Sequence, residues 1–536
     1  MFGIFPLQAR RGFGKKMGEC FGATLLLCGL AVAALPQAPQ PPPVFTQAES
    51  YIRQRQYHRA IALLQGILEK SPNDPRAHDL MGIALTSSGR PEEGNAHFQA
   101  SLKLDPGFFP ALKNLALNEL AMNRLDDARG HFEEVLKVSP QDPVAHLSLG
   151  EIDYAKHEFG PAVDEYLKSG GLFGKDPRVV LRFARSCFES NQGEKAMGAL
   201  EHLHVGADGR IHFQAGLMLV QLENYASAAR QFELAKKDYP DPYEVGFNLT
   251  LAYVRSVNYP AAIQSANDLI AQGYRKSELY NLLAEAYEHN NQTIKAYNAL
   301  RTATQIDPRD ENNYLDLMAL GVDHANYNLA LDIANIGLRN IPGSYRLIMQ
   351  RGAVKAFRDE ITPALEDFQR AAKMEPTKDL PYFGMCMALE QKDQTVQAIQ
   401  VIRQRLKVHP NDYLLLFALG ETLSRTVSSP ENDAEALDLL QRCVRLKPDF
   451  ATARLELGKV YLRHSEDERA RVELERALQL DPTDLTPCYH LAQIYRRKGD
   501  KQKADELFAK FVKFRNEDRE RHINRNLLQL LREGEK

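Results

Sequence analysis

The chain of 536 residues contains no tryptophan, and 67 Lys and Arg stand against 70 Asp and Glu, for a formal net charge of -3. So even a balance gives no general basic field to draw nucleic acid or acidic lipid, and nucleic acid is not an expected partner. Cysteine is scarce as well: Cys20 and Cys28 lie near the N-terminus, and Cys187, Cys386, Cys443 and Cys488 are far apart along the chain. No pair stands at metal-ligand spacing, and the last four read as small, buried, reduced residues. Catalytic signatures are missing too, with no H-E-x-x-H and no G-x-S-x-G. In "SGGLFGKD" a phosphate loop would need glycine where Ser169 stands and a magnesium-binding hydroxyl where Asp176 stands. Neither catalysis, nor a cofactor, nor a metal is therefore expected. Between residues 41 and 512 no apolar run approaches the roughly 18 residues of a membrane span.

What is abundant is repetition. Asp176-Pro177 returns as Asp142-Pro143 34 residues earlier and as Asp74-Pro75. Alanine keeps the same step from Ala60, Ala128 and Ala162 through to Ala504, Gly94 filling the one gap. The step is 34 residues except for one of 32 before Ala228 and one of 38 before Ala436. Twelve residues before many of these lies a second small residue, as in Gly82, Ala116, Gly150, Gly216 and Gly352. Two small residues per period predict two helices crossing closely. A proline twelve residues after the alanine, as in Pro72, Pro140, Pro308 and Pro448, often ends the pair.

With tyrosines at Tyr51, Tyr253, Tyr287, Tyr461 and Tyr495, and rings at Phe98, Phe132, Tyr166, Phe232, Phe368 and Phe508, this pattern resembles the tetratricopeptide repeat family. The resemblance implies an all-α fold, a right-handed superhelical solenoid of about fourteen helix-turn-helix repeats over residues 41–512. The family's tryptophan position holds His78, His146 and His212 in some units and Tyr280, Tyr314 and Tyr382 in others. Units this far apart cannot gather histidines around one metal, so the position reads as a structural slot. The two-residue deletion in "HVGADGRI" reads as a shortened turn, and the insertion in "TVSSPENDAEA" as a longer loop.

The ends differ from the middle. "QARRGFGKK", the 15-residue apolar run from Phe21 to Leu35 and Ala31-Val32-Ala33 follow the order of a secretory signal. Residues 1–40 then form a cleaved signal or an uncleaved anchor, followed by the proline-rich spacer "PQAPQPPPV". An exported location is expected, periplasmic or secreted, with membrane contact only through that anchor. Residues 513–536 carry Ile523, Leu527, Leu530 and Leu531 on one helical stripe, which fits a capping helix or a dimer seam.

A solenoid of this kind presents the first helix of each unit to a long groove. The resemblance places partner contacts mainly at the second, fifth, ninth and twelfth positions of that helix. Lys113 matches the lysine of the family's clamp for acidic chaperone tails, but Leu117 stands where the clamp needs asparagine. From the third to the seventh unit twelve of the fifteen residues at the fifth, ninth and twelfth positions are instead apolar, Lys113, Glu151 and Arg185 being the exceptions. The expected partner-binding residues are Leu117, Leu120, Leu147, Tyr154, Leu181 and Phe188, continuing with Phe213, Leu217, Val220, Phe247, Leu251 and Val254. Two readings fit such a run: a groove for an extended or helical apolar segment of another protein, or residues buried between neighbouring first helices. The function expected is a non-enzymatic protein–protein interaction scaffold of the cell envelope or secreted space. The alternative is a subunit of a polysaccharide or protein export apparatus.

Overall fold

The computed structural model describes residues 43–201, 203, 207–426 and 430–517. Among these, 28 α-helices pair into fourteen hairpins, from Pro43–Arg53 with Tyr57–Lys70 to Thr486–Arg497 with Lys501–Glu517. The chain divides into two compact bodies, one ending at Leu269 and the other beginning at Ile270. In each, second helices pack on the first helix of the next hairpin, and first helices also touch one another.

Four hairpins begin with the recurring Asp-Pro, at Asp74, Asp142, Asp176 and Asp241. Asp74, Asp142 and Asp176 are N-caps whose carboxylates accept backbone N–H bonds from Ala77, from Val144 and Ala145, and from Arg178. The proline follows at the first helical position, where no amide hydrogen is needed. In "GGLFGKDP" the glycines lead into a short 3-10 turn, Leu172–Lys175, so the stretch that mimics a phosphate loop is a connector.

The second constraint is the crossing inside each hairpin. A Cβ added at Gly82 or Gly216 would lie 2.5 Å from the ring of Phe98 or Phe232, and one at Gly150 would lie 2.9 Å from Tyr166. All three rings are fully buried, each a contribution of about 1.5–3 kcal/mol from burial. The four described cysteines are buried and free, and burial pushes the thiols of Cys187 to about 11 and of Cys386 and Cys443 to about 12, which leaves them unreactive.

The histidine slot is structural. His146 donates Nε2–H to the Pro140 carbonyl at 3.0 Å, and its Nδ1 lies 2.6 Å from Glu165. His78 meets Pro72 and His97 in the same way, at 3.0 Å each, and His212 donates to Gln231 at 2.7 Å. In the second body Arg454 takes over, bonding the Pro448 carbonyl at 2.7 Å and Glu473 at 2.6 Å. Tyrosines tie hairpin to hairpin: Tyr253 donates to Glu233 and Tyr495 to Glu475, both at 3.1 Å, while Tyr461 accepts from Gln441 at 3.0 Å.

The turn between the two helices holds one left-handed residue in nearly every unit. Glycine occupies it at Gly89 and Gly499, but eleven units put other residues there, including Asn123, Asn291, Asp359 and Val257. Asparagine and aspartate tolerate this conformation, whereas a β-branched valine does not.

At the deletion, the helix Gly193–Glu201 has 9 residues and the next begins at Gly209, and residues 204–206 of the turn expected there lie outside the described residues. The other irregular unit differs from expectation. The insertion feeds a helix: Pro430–Leu446 runs for 17 residues, with proline and acids in its first turn, which suits a helix start better than a loop. The last helix, Lys501–Glu517, carries past residue 512. The leader expected over 1–40 and the stripe of Ile523, Leu527, Leu530 and Leu531 lie outside the described residues.

Two outcomes follow. Gly216→Val forces Phe232 from its seat and lowers the midpoint of urea unfolding, a loss of about 1–3 kcal/mol, whereas Gly130→Ala, in a helix with open space beside the glycine, leaves the midpoint unchanged or raises it. Val257→Gly, at an exposed turn with φ of 63°, stabilises by about 1 kcal/mol; a lower melting temperature than wild type would contradict the strain assigned there.

Candidate functional site

Five first helices of the N-terminal body carry the expected lining: Phe109–Ala121, Pro143–Ala155, Pro177–Glu189, Gly209–Gln221 and Pro242–Arg255. The structure divides the twelve residues into two sets. Leu117, Leu147, Tyr154, Leu181, Phe188, Leu217, Phe247 and Leu251 are half-buried. Leu120, Phe213, Val220 and Val254 are buried, at 8%, 4%, 5% and 4% exposure, and belong to the core.

The division has a steric cause. Leu120, Val220 and Val254 sit at the twelfth position, where short aliphatic side chains are covered by neighbouring helices. Tyr154 and Phe188 occupy the same position but are long enough to remain half-exposed. Phe213 is covered by Tyr239, stacked at 4.2 Å, and by Phe232 at 5.5 Å. Phe247 instead stacks only on Tyr243, with centroids 5.8 Å apart, among the ring contacts of the described residues. Leu147, Tyr154, Leu181, Phe188 and Leu217 rest on one continuous core cluster, so these five have a firm floor.

Polar groups fix that floor. Glu151, 3% exposed, accepts from Tyr166 Oη at 2.7 Å and from Arg182 Nε at 3.0 Å, joining two successive hairpins. Burial first, and the Glu151 carboxylate second, hold the Tyr166 phenol well above its ordinary value, so it is a neutral donor. The Arg185 guanidinium lies 5.8 Å over the Phe188 ring. At the N-terminal end the character changes: Lys113 is tied to Asp142 at 2.7 Å, and Asn114 donates to buried Asp79 at 2.9 Å. Burial raises the Asp79 carboxyl to about 6, partly opposed by that bond and by Arg76.

Sequence reasoning placed Lys113 among the ligand-facing positions, yet it serves the N-cap of the next unit. It also passed over Glu151 and Arg182 as structural elements. Their signal was available: a glutamate, a tyrosine 15 residues on and an arginine 31 residues on, the separations at which they now bond.

Tetratricopeptide repeat models match residues 45–107 and 433–484, residues 85–152, and residues 277–310 and 485–518. Anaphase-promoting complex subunit 3 of Schizosaccharomyces pombe is 22% identical over 190 residues, covering 35% of this chain and 29% of that protein. The BBSome complex member BBS4 homolog of Drosophila melanogaster is 26% identical over 211 residues, covering 39% of this chain and 43% of that protein. The chain thus spans less than half the length of these curated relatives. The crystal structure of yeast Tom70 aligns with 92% of this chain and 95% of its own, at 14% identity and a TM-score of 0.42. Period, hairpin geometry and the matched models agree: the chain is a tetratricopeptide repeat protein.

Proposed function

We propose that the chain is a non-enzymatic scaffold that holds an apolar segment of another protein along the first helices of its N-terminal body. The carrying observation is the half-buried set from Leu117 to Leu251, spread over five consecutive first helices, with Leu147, Tyr154, Leu181, Phe188 and Leu217 on a single packed floor. A row this long exceeds the scattered apolar residues normal on a protein surface and suits an amphipathic helix or extended segment. Relatives named as members of the anaphase-promoting and BBSome complexes support a role in assembly.

The buried and half-buried sets give opposite outcomes. A photo-crosslinking residue at Leu181 captures the partner segment in wild type, and Phe247→Asp with Leu251→Asp reduces that capture at least tenfold while the melting curve stays cooperative. Phe213→Asp, placing an unpaired charge in the core, abolishes the transition of this body. Undiminished capture by the folded double variant would remove the groove from this face.

The same reading puts the protein outside the cytoplasm, on the strength of the basic and apolar leader in the sequence. N-terminal sequencing of protein from its native source should begin between Ala34 and Pro39. An intact Met1 on cytoplasmic protein is incompatible with export.

A further inference from the structure

The second body carries a further feature on another edge, a pairing that also ends two second helices of the N-terminal body, as exposed Lys103 with Leu104 and Lys137 with Val138. At the ends of its second helices a cation and a large apolar residue stand side by side, hairpin after hairpin: Lys373 with Met374, Lys407 with Val408, Arg445 with Leu446. Arg339 continues the cationic column one hairpin earlier, and Ile306 the apolar column two hairpins before Met374. All are exposed, Val408 at 62% and Leu446 at 49%. Among the described residues none of the four cations has an ion pair or side-chain hydrogen bond.

These pairs are neighbours in space. Arg370 donates to the Pro342 carbonyl at 2.9 Å, Arg405 to Pro376 at 2.9 Å and Arg442 to Pro410 at 2.8 Å. Each bond joins the last turns of one second helix to the turn just past the preceding one, so successive pairs line one edge. A cation at a helix C-terminus relieves the exposed carbonyls, and that alone accounts for lysine or arginine there. It does not account for an exposed Met, Val or Leu beside each one, where a solvated edge would be polar.

We propose that this edge is a docking strip for an acidic segment of a partner protein, one whose carboxylates alternate with apolar side chains. The unpaired cations supply charge complementarity, and the adjoining column supplies the apolar contact that a carboxylate-only segment would leave unused. The columns are aliphatic, and no ring stands in them to stack a base, which disfavours single-stranded nucleic acid. A strip one pair wide in each hairpin follows a chain rather than the plane of a membrane.

The test uses the full chain and a fluorescein-labelled synthetic peptide built of glutamate and leucine, read by fluorescence anisotropy. Wild type binds it, with affinity falling as salt is raised. The charge-reversed triple Lys373→Glu, Lys407→Glu, Arg445→Glu weakens binding at least tenfold, and so does Met374→Ser with Val408→Ser and Leu446→Ser. All six positions are exposed, so melting curves stay near wild type. Phe247→Asp leaves the peptide affinity unchanged, which separates this strip from the groove. Equal binding by wild type and the charge-reversed triple overturns the proposal. So does loss of binding in Phe247→Asp, or preference for single-stranded RNA or phosphatidylserine vesicles over the peptide.

Discussion

Every hairpin depends on one short distance, the approach of its two helices at a residue without a usable side chain. At Gly82, Gly150 and Gly216 the space a Cβ would fill belongs to a buried ring of the partner helix. Alanine at the reciprocal place, as in Ala128, Ala162 and Ala228, is likewise fully buried. The remaining packing follows from this crossing, because it sets how far each hairpin's outer apolar stripe projects toward the next. A repeat that buries its apolar face only against its neighbours can then be added without enlarging any single core.

Polar groups do a different job in this architecture. They are concentrated where hairpins meet or where chain direction changes, as with Asp142, His146 and Arg454, whose bonds satisfy backbone groups at helix ends. One slot accepts histidine, tyrosine or arginine because its requirement is a donor of sufficient reach, met by Tyr314 on Pro308 as well as by Arg454 on Pro448. That tolerance explains how the family's tryptophan can be absent without loss of the fold.

The period, the helix boundaries and the close crossings were legible because each depends on local chemistry: a cap, a proline, a missing side chain. Burial along the first helices was less so. Leu120 and Tyr154 share a repeat position, yet one is core and the other half-exposed, since exposure depends on side-chain length against a neighbouring helix that periodicity does not describe. Phe213 was hidden by Tyr239, a residue from the connector of its own unit outside the lining positions. The insertion before Ala436 was misread because serine and proline suit both a loop and the first turn of a helix, and the acids Glu431 and Asp433 decide for the helix.

The two faces now distinguished use the repeat in opposite ways. On the first helices of the N-terminal body, the repeat supplies a floor, and recognition depends on side chains long enough to rise above it, such as Phe188 and Phe247. On the edge of the second body, the repeat supplies spacing, and recognition depends on exposed ends that the fold does not need. On the first face a substitution of a buried residue such as Phe213 therefore disturbs packing, and only the half-buried residues change contact alone, while on the edge every position does so. This difference lets a repeat protein alter its edge partners by surface substitutions while the buried part of its inner face changes only in step with the core.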